Sequence, residues 1–296
     1  MGKARKSGLD GGGRGNRHGR EASGGDAPAR RRLAAMDGNG HRPNEPDAGQ
    51  SQRRRWREAR HRHRCGLLAA WSTAWLAGRV SYDDVIDAVV GEEVHRVAGL
   101  PGRADAVPLG WALSALRERG ESRLRAVLPV PGDPRGLPGP GPFSAAAMLA
   151  GEGVLGYGLG LTPDVGDATV LWTAHEVNVV APDPITLVEA DHDLAVTLRT
   201  AARALTELDV ARWRPEAAAL LQGSSNGERR LRLPPGHDQR ALGLAERAQR
   251  LTDVLELALA DAPGAAVTGH DARGRDEALR PLATAVRRAL VAAYNA

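Results

Sequence analysis

The chain predicts an α+β fold, with an N-terminal helical hairpin, a small mostly antiparallel sheet carrying a Pro/Gly-rich loop, and a C-terminal array of three long helices. Three observations lead there. Apolar residues recur three and four apart after Leu67 and again through the last third, whereas parts of the middle third alternate with period two. Between these regimes lies "LPVPGDPRGLPGPGPF", residues 128–143, where six of sixteen residues are proline and four are glycine.

Residues 1–64 carry 17 Lys plus Arg against 7 Asp plus Glu and almost no large apolar side chains. Such a segment buries too little surface to offset the entropy of ordering, so it is expected to be a disordered basic tail. That leaves 65–296 as a single α+β domain whose part from 185 to 296 is helical. The pI near 9.8 belongs to the tail, because 65–296 holds 23 basic and 29 acidic residues and is mildly acidic. A basic tail points to nucleic acid as one partner. Against it, 38 arginines to 2 lysines reads as GC-rich coding bias.

Within the domain, Leu68, Trp71, Trp75 and Leu76 mark a first helix stopped by Gly78. Ser81 and Asp84 form a capping-box start for a second, with Val85, Ile86, Val89 and Val90 as its apolar face. Leu109–Arg119 reads as a third helix, with Trp111, Leu113 and Leu116 available for burial. "RLRAVLPV", 123–130, alternates and then meets proline, as an edge strand must. "FSAAAMLAGEGVLG" is ambiguous between helix and strand. "ATVLWTAHEVNVV", 168–180, is the clearest strand, its phase slipping near His175. Helices follow around Leu194–Leu208, Leu244–Ala258 and Leu279–Ala293, and Pro281 must lie in the first turn of the last or kink it.

Several constellations invite chemical readings. Gly151, Gly153 and Gly156 spell G-x-G-x-x-G, but "YGLGLTPD" after them cannot be the helix a dinucleotide site needs, so a glycine-loosened strand or turn is preferred. Glu92 with His95 and Glu189 with His192 are Glu-x-x-His pairs, which on helices resemble half of a di-iron site. The preferred reading is surface histidines among acids. His61, His63 and Cys65 in "HRHRC" lack a fourth ligand at zinc spacing and sit in an arginine run expected to be flexible. No cofactor and no metal site follow. Ser144, and the group Asp133, Glu152 and His175, furnish a hydrolase-type alternative that needs tertiary convergence.

The single cysteine, Cys65, excludes an internal disulfide, and a reducing cytoplasm is the default. The uncharged stretch Cys65–Gly78, 14 residues, is too short to span a bilayer, and no membrane partner is expected.

The Pro/Gly run is the foremost recognition candidate. Asp133 and Arg135 are its only charges, and the amides of Gly136, Gly139 and Gly141 stand among prolines that stiffen the chain. The alternative is that the two charges merely brace the loop. The phrases "LPVPGDPRGLPGPGPFSAAAMLAGEGVLG", "LDVARWRPEAAALL" and "ALRPLATAVRRALVAAYNA" resemble an uncharacterised family of conserved actinobacterial proteins over about 67–296. The resemblance implies a cytoplasmic bacterial origin and no known activity. The leading expectation is a non-enzymatic interaction or scaffolding protein binding another protein through the loop or a helical face.

Overall fold

A computed structural model describes residues 63–177, 185–207, 231–260 and 269–296. The basic tail to residue 62 and the phrase at 208–221 lie outside these residues. Helix α1 (Arg64–Leu76) begins three residues earlier than the apolar spacing indicates and buries Cys65, Leu68, Ala69, Trp71 and Ala74. It pairs with α2 (Tyr82–Val89) as the expected hairpin and is also a core helix, packed on the sheet and on the last helix. The hairpin turn uses Gly78 at φ +70°, and the capping box of Ser81 and Asp84 forms as expected.

Strand β1 (Val94–Ala98) follows α2, where the acidic and basic residues around His95 hide a short alternation of buried His95 and Val97. After β2 (Val107–Pro108), α3 (Leu109–Glu118) buries Leu109, Ala112, Leu113 and Leu116. Then come β3 (Arg125–Val127), α4 (Pro142–Ala150), β4 (Gly153–Gly156), β5 (Leu159–Val165) and β6 (Thr169–Glu176). The ambiguous segment after the proline run thus divides at Gly151, whose φ of +77° ends α4, and the G-x-G-x-x-G becomes a turn and a strand.

The six strands are ordered β2-β1-β6-β5-β4-β3, antiparallel except for β1 beside β6. The row Ala126, Val154, Leu161 and Ala174 crosses four strands into the main core. The opposite row, Leu155, Gly160 and His175, faces α4. Helices α5 (Leu187–Glu207), α6 (Gln239–Ala260) and α7 (Gly269–Tyr294) complete the described elements, with α5 and α6 both packed on α7. Leu282, Val286, Ala289 and Leu290 of α7 are buried.

Two details tie the end of α7 to α1 and to the sheet. Gly66 lets α1 and α7 touch, since a Cβ there would overlap the Tyr294 ring. Asn295 caps the edge strand: its Oδ1 accepts from the Ala126 amide at 2.8 Å and its Nδ2 donates to the Ala126 carbonyl at 3.0 Å. An edge strand is otherwise a row of unpaired backbone groups. Pro281 lies well inside α7, not in its first turn, at an exposed position. Its missing N–H cannot donate to the carbonyl of Glu277, itself at an exposed position.

Candidate interaction surface

The Pro/Gly run folds as two successive turns after β3. Pro131 and Gly132 form the first corner, closed by the Asp133 amide donating to the Val130 carbonyl at 2.8 Å, with Gly132 at φ +86°. The second holds Arg135 and Gly136 and is closed by the Leu137 amide donating to the Pro134 carbonyl at 3.2 Å. Gly136, at φ +85°, lies over Val127, and Leu137 packs on the small cluster of Val127, Phe143, Ala147, Leu155 and Val177. The Ser144 hydroxyl donates to the Gly139 carbonyl, and Gly141 with Pro142 opens α4.

Asp133 is gripped from two sides. Arg135 Nε donates to its Oδ1 at 2.7 Å, and Arg287 of α7 donates to its Oδ2 at 2.8 Å. Burial alone would raise this carboxyl, but hydrogen bonds and charge from the two arginines outweigh that and hold it below its ordinary value. Asp133 is 13% exposed and Arg135 is 62% exposed, so the first braces the loop while the second faces solvent. Among the described residues nothing accepts from the amides of Gly136, Gly139 and Gly141.

Helix α4 continues this surface. No residue of Pro142–Ala150 carries a charge. Phe143 and Ala147 point inward, where Gly153 and Gly160 make room for the Phe143 ring and His175 meets it edge-on at 6.0 Å. The outer side is apolar as well, with Ala145 and Ala150 exposed and Leu149 92% exposed. A helix without a polar face is ordinarily buried on all sides.

The sequence reading missed a buried polar cluster at the head of α1. The Cys65 amide donates to Glu152 Oε2 at 2.9 Å, and burial pushes Glu152 up to about 7 against the opposing pull of Cys65 and Arg64. Burial, then the Glu152 charge, raises the Cys65 thiol well above its ordinary value. Arg64 forks onto Glu93, with Nη2 to Oε1 at 3.0 Å. Trp172 Nε1 donates to His95 Nδ1 at 3.2 Å, which leaves the His95 proton on Nε2, 3.4 Å from Glu93. With Cys65 at 0% exposure no substrate reaches it, and a thiol so buried is inert. The only sequence signal was charge and cysteine running directly into a helical pattern. His63 and Cys65 are thus folded, not part of a flexible arginine run.

The remaining candidates disperse. Asp133 bonds Arg135 and Arg287, Glu152 bonds Cys65, and His175 bonds Thr162 at 3.0 Å, so the three share no partner in these bonds. Glu92 precedes β1 and His95 is in it, so that pair is not helical, and His95 is buried, not a surface histidine. Glu189 closes a capping box with Thr186 at the start of α5 while His192 is exposed. Neighbouring Asp191 and Asp193 pair with Arg247 and Arg288. Among the described residues no three His, Cys, Asp or Glu side chains gather as a metal site. Among them, too, no helix is long and apolar enough to cross a membrane.

This is an α+β protein with a mixed six-stranded sheet, a core helix and a helical C-terminal layer. Residues 65–189 match the N-terminal domain and 188–291 the C-terminal domain of the Rv1486c-like proteins, and the chain belongs to that family. The junction falls at the head of α5. The uncharacterized protein Rv1486c of Mycobacterium tuberculosis (strain ATCC 25618 / H37Rv) is 31% identical over 277 residues, covering 77% of this chain and 95% of the relative. The uncharacterized protein ML1804 of Mycobacterium leprae (strain TN) is 26% identical over 287 residues with the same coverage. No solved structure matches. The expected kinship with actinobacterial proteins is borne out, and the relatives' names state no activity.

Proposed function

We propose that the protein is a non-enzymatic cytoplasmic interaction or scaffolding protein that docks a protein partner on the Pro/Gly loop and α4. The observation that carries this reading is a nine-residue helix with no charge, whose Leu149 is 92% exposed, at the end of an ordered loop. Docking would remove that apolar surface from water. Arg135 supplies a solvent-facing guanidinium for a carboxylate, and Asp133 holds it. The amides of Gly136, Gly139 and Gly141 offer donors to a partner's main chain. Affinity capture from the source cells tests this with the wild type, Leu149→Glu and Arg135→Ala. One specific partner lost from both variants supports the reading, and unchanged partner lists sink it.

A second reading rests on charge. Sixteen basic residues against seven acids in 1–62, Arg64 being paired with Glu93, suit association with nucleic acid through the tail. Deleting residues 1–62 is then expected to abolish DNA or RNA binding, and affinity to fall steeply with salt. Binding that ignores salt would dispose of it.

A further inference from the structure

A second surface, independent of the loop and α4, lies where α1, α2 and α3 meet the β1–β2 connection. Trp75, Tyr82 and Trp111, one from each helix, line a groove of about 610 Å³ together with Pro101 and Pro108. That volume is in the range of roughly 300–1,000 Å³ usual for ligand sites. The chain has only ten aromatic residues besides histidine, and three of them converge here. Trp111 is 46% exposed and Tyr82 is 39% exposed, although each belongs to a helix whose other side is well buried. Trp75 meets Tyr82 edge-to-face with centroids 6.0 Å apart. Tyr82 reaches over the first turn of α3 because residue 110 is glycine, where a Cβ would overlap the Tyr82 hydroxyl.

The polar atoms of the groove narrow its occupant. Among the described residues nothing accepts from the indole N–H of Trp75 or Trp111, and the hydroxyls of Tyr82 and Ser114 make no hydrogen bond. Side-chain donors therefore outnumber acceptors, of which Glu118 is the charged one. A cation is a poor fit, because the Arg103 guanidinium already sits 3.9 Å from the Trp111 ring centre and Arg117 lies 5.2 Å from that of Trp75. The lining asks for uncharged apolar rings to pack among its aromatic side chains and for carbonyl acceptors with few N–H groups. A proline-rich chain in the polyproline II conformation has that chemistry: proline contributes no N–H, and its carbonyls are free of internal hydrogen bonds. It is also stiff before binding, so little entropy is lost on a shallow surface.

We propose that this groove recognises a proline-rich segment of a partner protein in the polyproline II conformation. Full-length protein labelled with ¹⁵N is titrated with a blocked deca-proline peptide, with a blocked Gly-Ser decamer and with oligothymidylate, following the tryptophan indole N–H signals. Deca-proline is expected to shift the Trp75 and Trp111 signals saturably while the Gly-Ser peptide leaves them in place. Trp111→Ala is expected to weaken binding roughly tenfold, and Tyr82→Phe, which removes only the hydroxyl, by about threefold. Trp111→Ala also loses the buried half of the indole and its Arg103 contact, so its thermal midpoint is recorded beside binding, and Tyr82→Phe, whose hydroxyl makes no hydrogen bond, serves as the second probe. Absence of any shift with deca-proline at about 1 mM, or binding unaffected by either variant, would overturn the proposal. Oligothymidylate moving the same signals when deca-proline does not would replace it with a base-stacking surface.

Discussion

Replacing Glu152 by Gln is predicted to stabilise the protein by an amount that grows with pH. The carboxyl is 7% exposed, and burial raises it from 4.5 to about 7 despite the Cys65 hydrogen bonds and the Arg64 charge. In the unfolded chain it releases its proton near the ordinary value. Between the two values the folded state keeps a proton that the unfolded chain has lost, so the Glu152 contribution falls as pH rises. The span from 4.5 to about 7, at roughly 1.4 kcal/mol per pH unit, amounts to roughly 3 kcal/mol, fully lost above about pH 8. His175 and His237 are lowered by burial and work in the opposite sense below their ordinary value of 6.5. They are present in both proteins and cancel in the difference. Glutamine keeps an oxygen to accept from the Cys65 amide and never ionises. Urea unfolding of both proteins at pH 4.5, 6 and 8 is therefore expected to show a gap widening by roughly 3 kcal/mol at unchanged m. Two stability curves that run parallel across this range would refute the reasoning, because the carboxyl would then titrate alike in the folded and unfolded chains.

Two further perturbations test the packing that carries the candidate surfaces. Phe143→Ala should cost about 3 to 5 kcal/mol in urea unfolding, since this ring, 2% exposed, fills the space under α4. Gly160→Ala should cost about 1 to 3 kcal/mol by overlap with that ring, and much less in the Phe143→Ala background; simple additivity would deny the contact. Asn295→Ala leaves the buried amide and carbonyl of Ala126 without partners and should cost about 1 to 3 kcal/mol per group, read as a lowered thermal midpoint. A midpoint unchanged by that substitution would mean that water reaches this edge.

Local chemistry is what the sequence by itself determined. The capping box at Ser81, the left-handed stop at Gly78, the α3 span, the alternation of Val170, Trp172 and Ala174 and the three long C-terminal helices all depend on a few neighbouring residues. So does the ordering of the Pro/Gly loop, where proline sets φ and glycine supplies the positive corners. Strand β1 was illegible because five residues with one histidine and one arginine carry too little pattern, and its identity rests on pairing with β6 some seventy residues on. Burial of Arg64, Cys65 and Glu152 was equally hidden. Charged residues read as solvated until partners 29 and 87 positions away are brought to them, Glu93 to Arg64 and the Cys65 amide to Glu152. The same holds for Asp133, which its near neighbour Arg135 holds in a way the sequence suggests, while Arg287, 154 residues away, fixes the loop to α7. The aromatic groove exists only because chain closure brings three helices together. Its energetics belong to surfaces that are not neighbours in the chain, and only the tertiary structure decides which surfaces those are.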